Sequence, residues 1–243
     1  MQVNYLNLDR RPDRNLAFLE LNRSVVDCRR IAAVDGSRLS RDELVASGII
    51  EPDLNNYSSG ALGAAVSHLR VWRLAVEENV TLTVAEDDAV FNCFFVKSAY
   101  QILGRLPTDW DIILWGWNFD SILHVGLFDG LNEAISHFSR RTLSDDIVRF
   151  RERIIEAAPL KLINAFGTVC YTISPRGAGK LLDRCFPLRN EVIPVPGLNA
   201  NLCNMGIDTA MNKHYRELKA YACFPPLVWT ENDKSQSDIL PSQ

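Results

Sequence analysis

No stretch of the chain approaches the roughly 18 consecutive apolar residues that a membrane-spanning helix needs, so none is expected. The opening residues, MQVNYLNLDRRPDR, carry neither a basic n-region nor a small-residue cleavage site, which predicts a chain that is not exported. Cysteine is sparse and scattered: Cys28, Cys93, Cys170, Cys185, Cys203 and Cys223 form no C-x-x-C pair. That spacing argues against a zinc site or a disulfide framework and for reduced, mostly buried thiols of a cytosolic protein. An excess of basic charge is missing too, since 26 basic and 30 acidic side chains leave a formal net charge of −4. The balance argues against nucleic acid as a partner, although a local basic patch can still hold a nucleotide. Internal repeats and low-complexity blocks are absent as well.

What remains is ordinary globular composition, 47% hydrophobic and 23% charged, in 243 residues. That is enough for a single large α/β domain carrying an insertion. Apolar runs at residues 3–8, 80–85, 111–115 and 168–173 read as strands, and a short one at 31–34 stops at the turn signal Asp35-Gly36. Helices are expected over 14–21, over 41–47 behind the capping box that opens at Ser40, and near 94–105. The strongest helical pattern is 61–78, where Leu62, Val66, Leu69, Trp72 and Val76 recur at three and four. Ser174-Pro175 supplies an N-cap and a first-turn proline for another helix. Alternating strands and helices predict a mainly parallel sheet with helices on both faces. Residues 118–160 break the rhythm and read as a variable insertion with a helix at 145–158; residues 230–243 read as a polar tail.

The sharpest chemical signal is Glu86-Asp87-Asp88, at the carboxyl end of a buried strand. Extended geometry sends Glu86 and Asp88 to one face and Asp87 to the other. Three adjacent carboxylates repel one another unless a cation or basic groups join them, and Mg²⁺ or Mn²⁺ favours such oxygen ligands. A solvated acidic turn explains them equally well. The segment NLDRRPDR, residues 7–14, offers Arg10, Arg11 and Arg14 to a diphosphate or, more plainly, to its own aspartates. Gly60 and Gly63 open the long helix with small residues, suited to close packing or to an anion at a helix N-terminus. His68 reads as structural or as a ligand. Gly177-Ala-Gly179-Lys180 fails as a phosphate loop, because Ser174 and Leu181 stand where glycine and Ser/Thr are needed. Asp208 suits a helix cap, a metal ligand or a base.

The order of these pieces carries more than any one of them. NLDRRPDR, then R-x-x-A-V-D-G from Arg30, then G-x-x-G-x-x-x-S-H-L-x-x-W from Gly60, then the acidic triplet, resembles glycosyltransferase family 25, which includes lipooligosaccharide and collagen galactosyltransferases. GTVCYTISPRGAGKLL from Gly167, Ile207-Asp208, Pro225-Pro226 and Ser237-Asp238-Ile239 are similar to later segments of that family. The resemblance implies a GT-A-like, Rossmann-like domain over residues 1–229. It also implies inverting, metal-dependent transfer of a hexose, galactose from UDP-galactose above all, to a glycan or lipooligosaccharide acceptor. In that light the metal ligands are Glu86 and Asp88, with Mn²⁺ or Mg²⁺ as cofactor. The nucleotide-binding residues are Asn7, Asp9, Arg10, Arg14, Gly60, Gly63, His68, Glu86 and Asp87. Asp208 is the base, with Glu231 and Asp233 in reserve. The partners are a nucleotide-sugar donor and a glycan or lipid-linked acceptor, in the cytoplasm, with peripheral attachment to the inner face of a membrane compatible with it. Two other readings compete: a sugar-nucleotide-binding protein without catalysis, and a Mg²⁺-dependent phospho-acceptor domain, whose roughly 120 residues would fill half the chain.

Overall fold

Residues 1–138 and 146–230 are described in the computed structural model of the chain. The first apolar run forms β1 (Gln2–Asn7), and Pro12 opens α1 (Pro12–Asn22), a position where its missing N–H costs nothing. The next strand, β2 (Asp27–Ala32), begins earlier than the apolar run at 31–34 because it is an edge strand with one solvated face. Val34 lies outside it, its N–H donated to Ser67 Oγ at 2.8 Å. Ser40 caps α2 (Arg41–Ala46), and Ser58 caps α3 (Ser59–Glu77) by accepting the Ala61 N–H at 3.1 Å. Along α3, Leu62, Val66, Leu69 and Trp72 are buried as the periodicity requires. Val76 is not; Ala75 faces the core in its place. Then come β3 (Leu82–Glu86), β4 (Ala89–Phe91), α4 (Phe95–Leu103) and β5 (Ile112–Gly116).

The segment 118–160 contributes β6 (Ile122–Leu127), β7 (Asn132–His137), α5 (Ile147–Glu152) and the start of β8 (Ala158–Ala165). Its helix is shorter than 145–158, and β6 and β7 extend the main sheet rather than leave it. β9 (Cys170–Ile173) leads into α6 (Pro175–Cys185), capped by Ser174 as expected. A hairpin of β10 (Val192–Val195) and β11 (Ala200–Cys203), then α7 (Ile207–Asn212), β12 (Ala220–Phe224) and β13 (Val228–Thr230), complete the described chain. Glu231, Asp233 and the rest of the expected tail beyond residue 230 lie outside the described residues.

Nine strands form one sheet in the order β2-β1-β3-β9-β5-β12-β8-β6-β7. The expectation of a mainly parallel sheet is corrected. Only β1–β2, β1–β3 and β5–β12 are parallel; the other five neighbouring pairs are antiparallel. The strand–helix alternation that implies crossovers persists only as far as β5. Beyond it, β6 reaches β7 through 128–131, a link too short for the crossover that parallel neighbours require, and β9 enters antiparallel to both of its neighbours, β3 and β5. Helices still cover both faces. In β5, Ile112 and Leu114 join the core shared with Leu62, Trp72 and Leu181, while Ile113 and Trp115 join Tyr5, Phe18, Phe91 and Phe95 on the other side. The result is one Rossmann-like α/β unit with a large central sheet.

Candidate active site

β1 and β3 run parallel with Leu6 opposite Glu86, so Asn7 and the acidic triplet leave the sheet side by side. The strand order reverses at this pair, since β2 lies beyond β1 on one side and β5 beyond β3 on the other. Open α/β sheets bind ligands at such a carboxyl-end crevice. β3 ends at Glu86, and Asp87-Asp88 turn into β4. The three carboxylates separate. Asp87 turns back to the start of α1, accepting from Asn7 Nδ2 at 2.7 Å and pairing with Arg14. Glu86 accepts the Thr168 hydroxyl at 2.5 Å. Asp88 accepts from Thr230 Oγ1 at 3.1 Å, with Arg14 Nη2 3.7 Å from the same oxygen. Its other oxygen, Oδ1, is buried and has no hydrogen-bond partner among the described residues.

Charge follows from this placement. Burial pushes the Glu86 carboxyl well above the ordinary carboxylate range and the Asp88 charge adds to it; Thr168 and Arg14 pull the other way. Burial raises Asp87 as well, countered by Arg14 and Asn7. One guanidinium, Arg14, thus stands beside three carboxylates.

Asp208 reaches the same place from far along the chain. It lies in the first turn of α7, where its Oδ1 accepts the Thr209 N–H at 2.8 Å and its Oδ2 accepts the Gly167 N–H at 2.9 Å. Its charge is among those that raise Glu86. Asn212, one turn on, clamps α7 to the end of β8 by donating to Ala165 O at 2.6 Å and accepting the Ala165 N–H at 3.0 Å.

The remaining expected residues divide. Asn7 is 1% exposed, with its amide engaged by Arg11 O, Asp87 and Arg30, so it ties β1 to its neighbours. His68 is 2% exposed and held within the core. Trp72 Nε1–H donates to the Tyr171 hydroxyl at 2.9 Å, and His68 Nδ1 is hydrogen-bonded to the same hydroxyl at 2.8 Å. Burial drives that imidazole down to about 4. Gly63 is a packing residue: a Cβ there would lie 2.5 Å from Val34 O and 2.7 Å from Gly36 N. Gly60 is half-buried in the first turn of α3. Asp9 pairs with Arg30 at 2.6 Å and Arg10 with Asp35 at 3.2 Å, Arg10 keeping 46% of its side chain in solvent. Lys180, from the rejected phosphate loop, serves the buried Asp111 at 2.7 Å.

A divalent cation fits this donor set. Hard cations that keep most of their water are held by one or two carboxylates together with substrate phosphates, and Glu86 and Asp88 supply such a pair. Asp88 Oδ1 is a buried acceptor with no hydrogen-bond partner among the described residues. No cluster of three or more His, Cys, Asp or Glu side chains able to hold a metal occurs among the described residues, so a cation held by this pair would have to draw further ligands from solvent or substrate. Thr168, Thr230 and Gly167 were not singled out as site residues by their sequence. The only available signal was that Gly167 and Thr168 open the GTVCYTIS segment; their partners depend on strand order.

The profile of Glycosyltransferase family 25 (LPS biosynthesis protein) matches residues 1–196. Procollagen galactosyltransferase 1 of Danio rerio is 28% identical over 249 residues, covering 94% of this chain and 36% of its own length. A glycosyltransferase 25 family member of Aedes aegypti is 27% identical over 92% of this chain and 35% of itself. Procollagen galactosyltransferase 2 of Homo sapiens is 30% identical over 98% of this chain and 36% of itself. The chain therefore spans about a third of the length of the curated relatives it matches.

Proposed function

The chain belongs to glycosyltransferase family 25, and on that premise we propose that it is an inverting, metal-dependent hexosyltransferase of GT-A type. The donor proposed is UDP-galactose, in keeping with the galactosyltransferases among its relatives, and the acceptor is a hydroxyl of a glycan or a lipid-linked sugar. The observation that carries the reading is the unpartnered, buried Asp88 oxygen in an acidic crevice at the carboxyl ends of β1 and β3. Glu86 and Asp88 would hold Mn²⁺ or Mg²⁺. When bound, the cation offsets the negative charge that builds on the departing diphosphate. Arg10, the more exposed of the two proposed arginines, would reach the diphosphate, while Arg14 holds Asp87 away from the cation site.

Inversion requires the acceptor oxygen to approach opposite the diphosphate, with a carboxylate taking its proton. Asp208 is proposed for that step. Its Oδ1 accepts the Thr209 N–H and, at 3.4 Å, the Thr209 hydroxyl, while Oδ2 accepts the Gly167 N–H; this fixes the carboxylate plane and leaves the second lone pair of Oδ2 for the incoming proton.

Incubating the purified chain with UDP-galactose, UDP-glucose and GDP-sugars, with Mn²⁺ or with EDTA, tests the proposal. UDP release should be fastest from UDP-galactose with Mn²⁺ and should vanish in EDTA and in Asp88→Ala. Turnover that survives EDTA, or undiminished Asp88→Ala activity in saturating Mn²⁺, would sink the metal role. A preference for a GDP-sugar would sink the uridine assignment.

A further inference from the structure

We propose that Thr168, with Gly167 beside it, is the positioning element of this site, one turn that sets the Glu86 and Asp208 carboxylates relative to each other. The inference rests on the reading of Glu86 as a cation ligand.

Two consecutive residues reach two acids from distant parts of the chain. The Gly167 N–H donates to Asp208 Oδ2 at 2.9 Å, and the Thr168 hydroxyl donates to Glu86 Oε1 at 2.5 Å. The turn has little freedom of its own. The Glu86 N–H donates to Val169 O at 3.0 Å, and β3–β9 pairing begins at once with Ala85 opposite Cys170. On the other side Asn212 grips both backbone groups of Ala165. Gly167 has φ of +85°, in the left-handed region that a side chain resists, and a Cβ there would lie 2.4 Å from the Asn118 side chain. Anchored at both ends, the turn delivers its N–H and its hydroxyl to fixed points.

Thr168 is itself buried, 5% exposed, so its hydroxyl is not a solvent-facing group that happens to find Glu86. A carboxylate with one oxygen held this way presents the other in a set direction. Groups that orient metal ligands in this manner are typically worth about 10–100-fold in metal affinity. A purely structural hydroxyl, by contrast, would affect stability and leave cation affinity alone.

The variant Thr168→Val removes the hydroxyl and keeps the shape, and Thr168→Ser restores the hydroxyl on a smaller frame. Free Mn²⁺ is followed by its electron paramagnetic resonance signal during titration into each protein with UDP present, alongside thermal melts. Positioning predicts that Thr168→Val weakens Mn²⁺ binding about 10–100-fold while Thr168→Ser stays near the parent protein. If Thr168→Val loses its cooperative melt, Thr168→Ala is read in its place, since it removes the same hydroxyl without setting a methyl against the carboxylate. Parent-like Mn²⁺ affinity in the folded hydroxyl-free variant would overturn the positioning role while leaving the transferase reading intact. Failure of the parent protein itself to bind Mn²⁺ would overturn both.

Discussion

At the scale of single residues, the site is built against its own stability. Glu86 is an acid whose folded-state pKa is raised, so the folded protein holds a proton that the unfolded chain releases. Its contribution is complete at low pH and is lost as pH climbs through the ordinary carboxylate range toward neutrality. His68 has the opposite sign: burial lowers it to about 4 from 6.5, so stability is full above the unfolded value and falls as pH drops through that window. The two slopes oppose each other in mildly acidic solution. Urea titrations in EDTA should therefore find Glu86→Gln more stable than the parent protein at pH 7, by about 1–3 kcal/mol at 1.4 kcal/mol per pKa unit. The variant should also show a steeper loss between pH 6.5 and 4, where His68 is no longer offset. A Glu86→Gln protein less stable at pH 7 would mean that Thr168 and Arg14 outweigh burial at this carboxyl. The acids themselves stood out in the sequence as three adjacent carboxylates after a β-branched run, a pattern that a solvated turn explained equally well. Their individual partners did not. Thr168 meets Glu86 only because β9 inserts antiparallel between β3 and β5, and no local pattern in residues 167–173 specifies its neighbours.

At the scale of elements, Gly63 is held in close packing. Gly63 lets α3 press against the turn at Val34–Gly36, and a Cβ at Gly36 would fall 1.7 Å from Ser59 O, so the two glycines meet across one contact. Alanine is the better helix former by about 1 kcal/mol. Gly63→Ala should still lose about 1–3 kcal/mol, because overpacking against backbone cannot relax by rotating a side chain. Gly179, in α6, is the control: a Cβ there meets only Val76 Cγ2, at 3.9 Å. Gly179→Ala should gain about 0.5–1 kcal/mol. Chemical denaturation of both variants checks the pair, and a neutral or stabilising Gly63→Ala would remove the close-packing account. Elements with strong local signals were readable: Ser40, Ser58 and Ser174 cap their helices, and α3 spans nearly its full periodic stretch. The short strands were not. β4 and β13 are three residues each and pair with each other from distant parts of the sequence, too little for periodicity to register. β2 hid behind the polar alternation of an edge strand.

At the scale of the whole molecule, the crevice is assembled from segments that lie far apart in the sequence. Asn7 comes from β1, Glu86 and Asp88 from the end of β3, Gly167 and Thr168 from the turn before β9, Asp208 from α7, and Thr230 from β13. A ligand that binds only this assembled arrangement stabilises the entire fold by mass action, by about 2.7 kcal/mol when present at 100 times its Kd. For a chain of this size each kcal/mol moves Tm by about 2–4 °C, so UDP with Mn²⁺ should raise Tm by about 5–10 °C. The rise should disappear in EDTA, and GDP should not reproduce it. Hydrogen exchange locates the effect. Protection is expected in residues 8–14, in the 166–169 turn and at the start of α7, whereas β6 and β7, at the far edge of the sheet from β1 and β3, should exchange as before. Protection confined to 8–14, with α7 unchanged, would separate the arginine loop from Asp208. It would show a nucleotide site that α7 does not help to close, and the proton-accepting carboxylate would then have to be sought elsewhere in the chain.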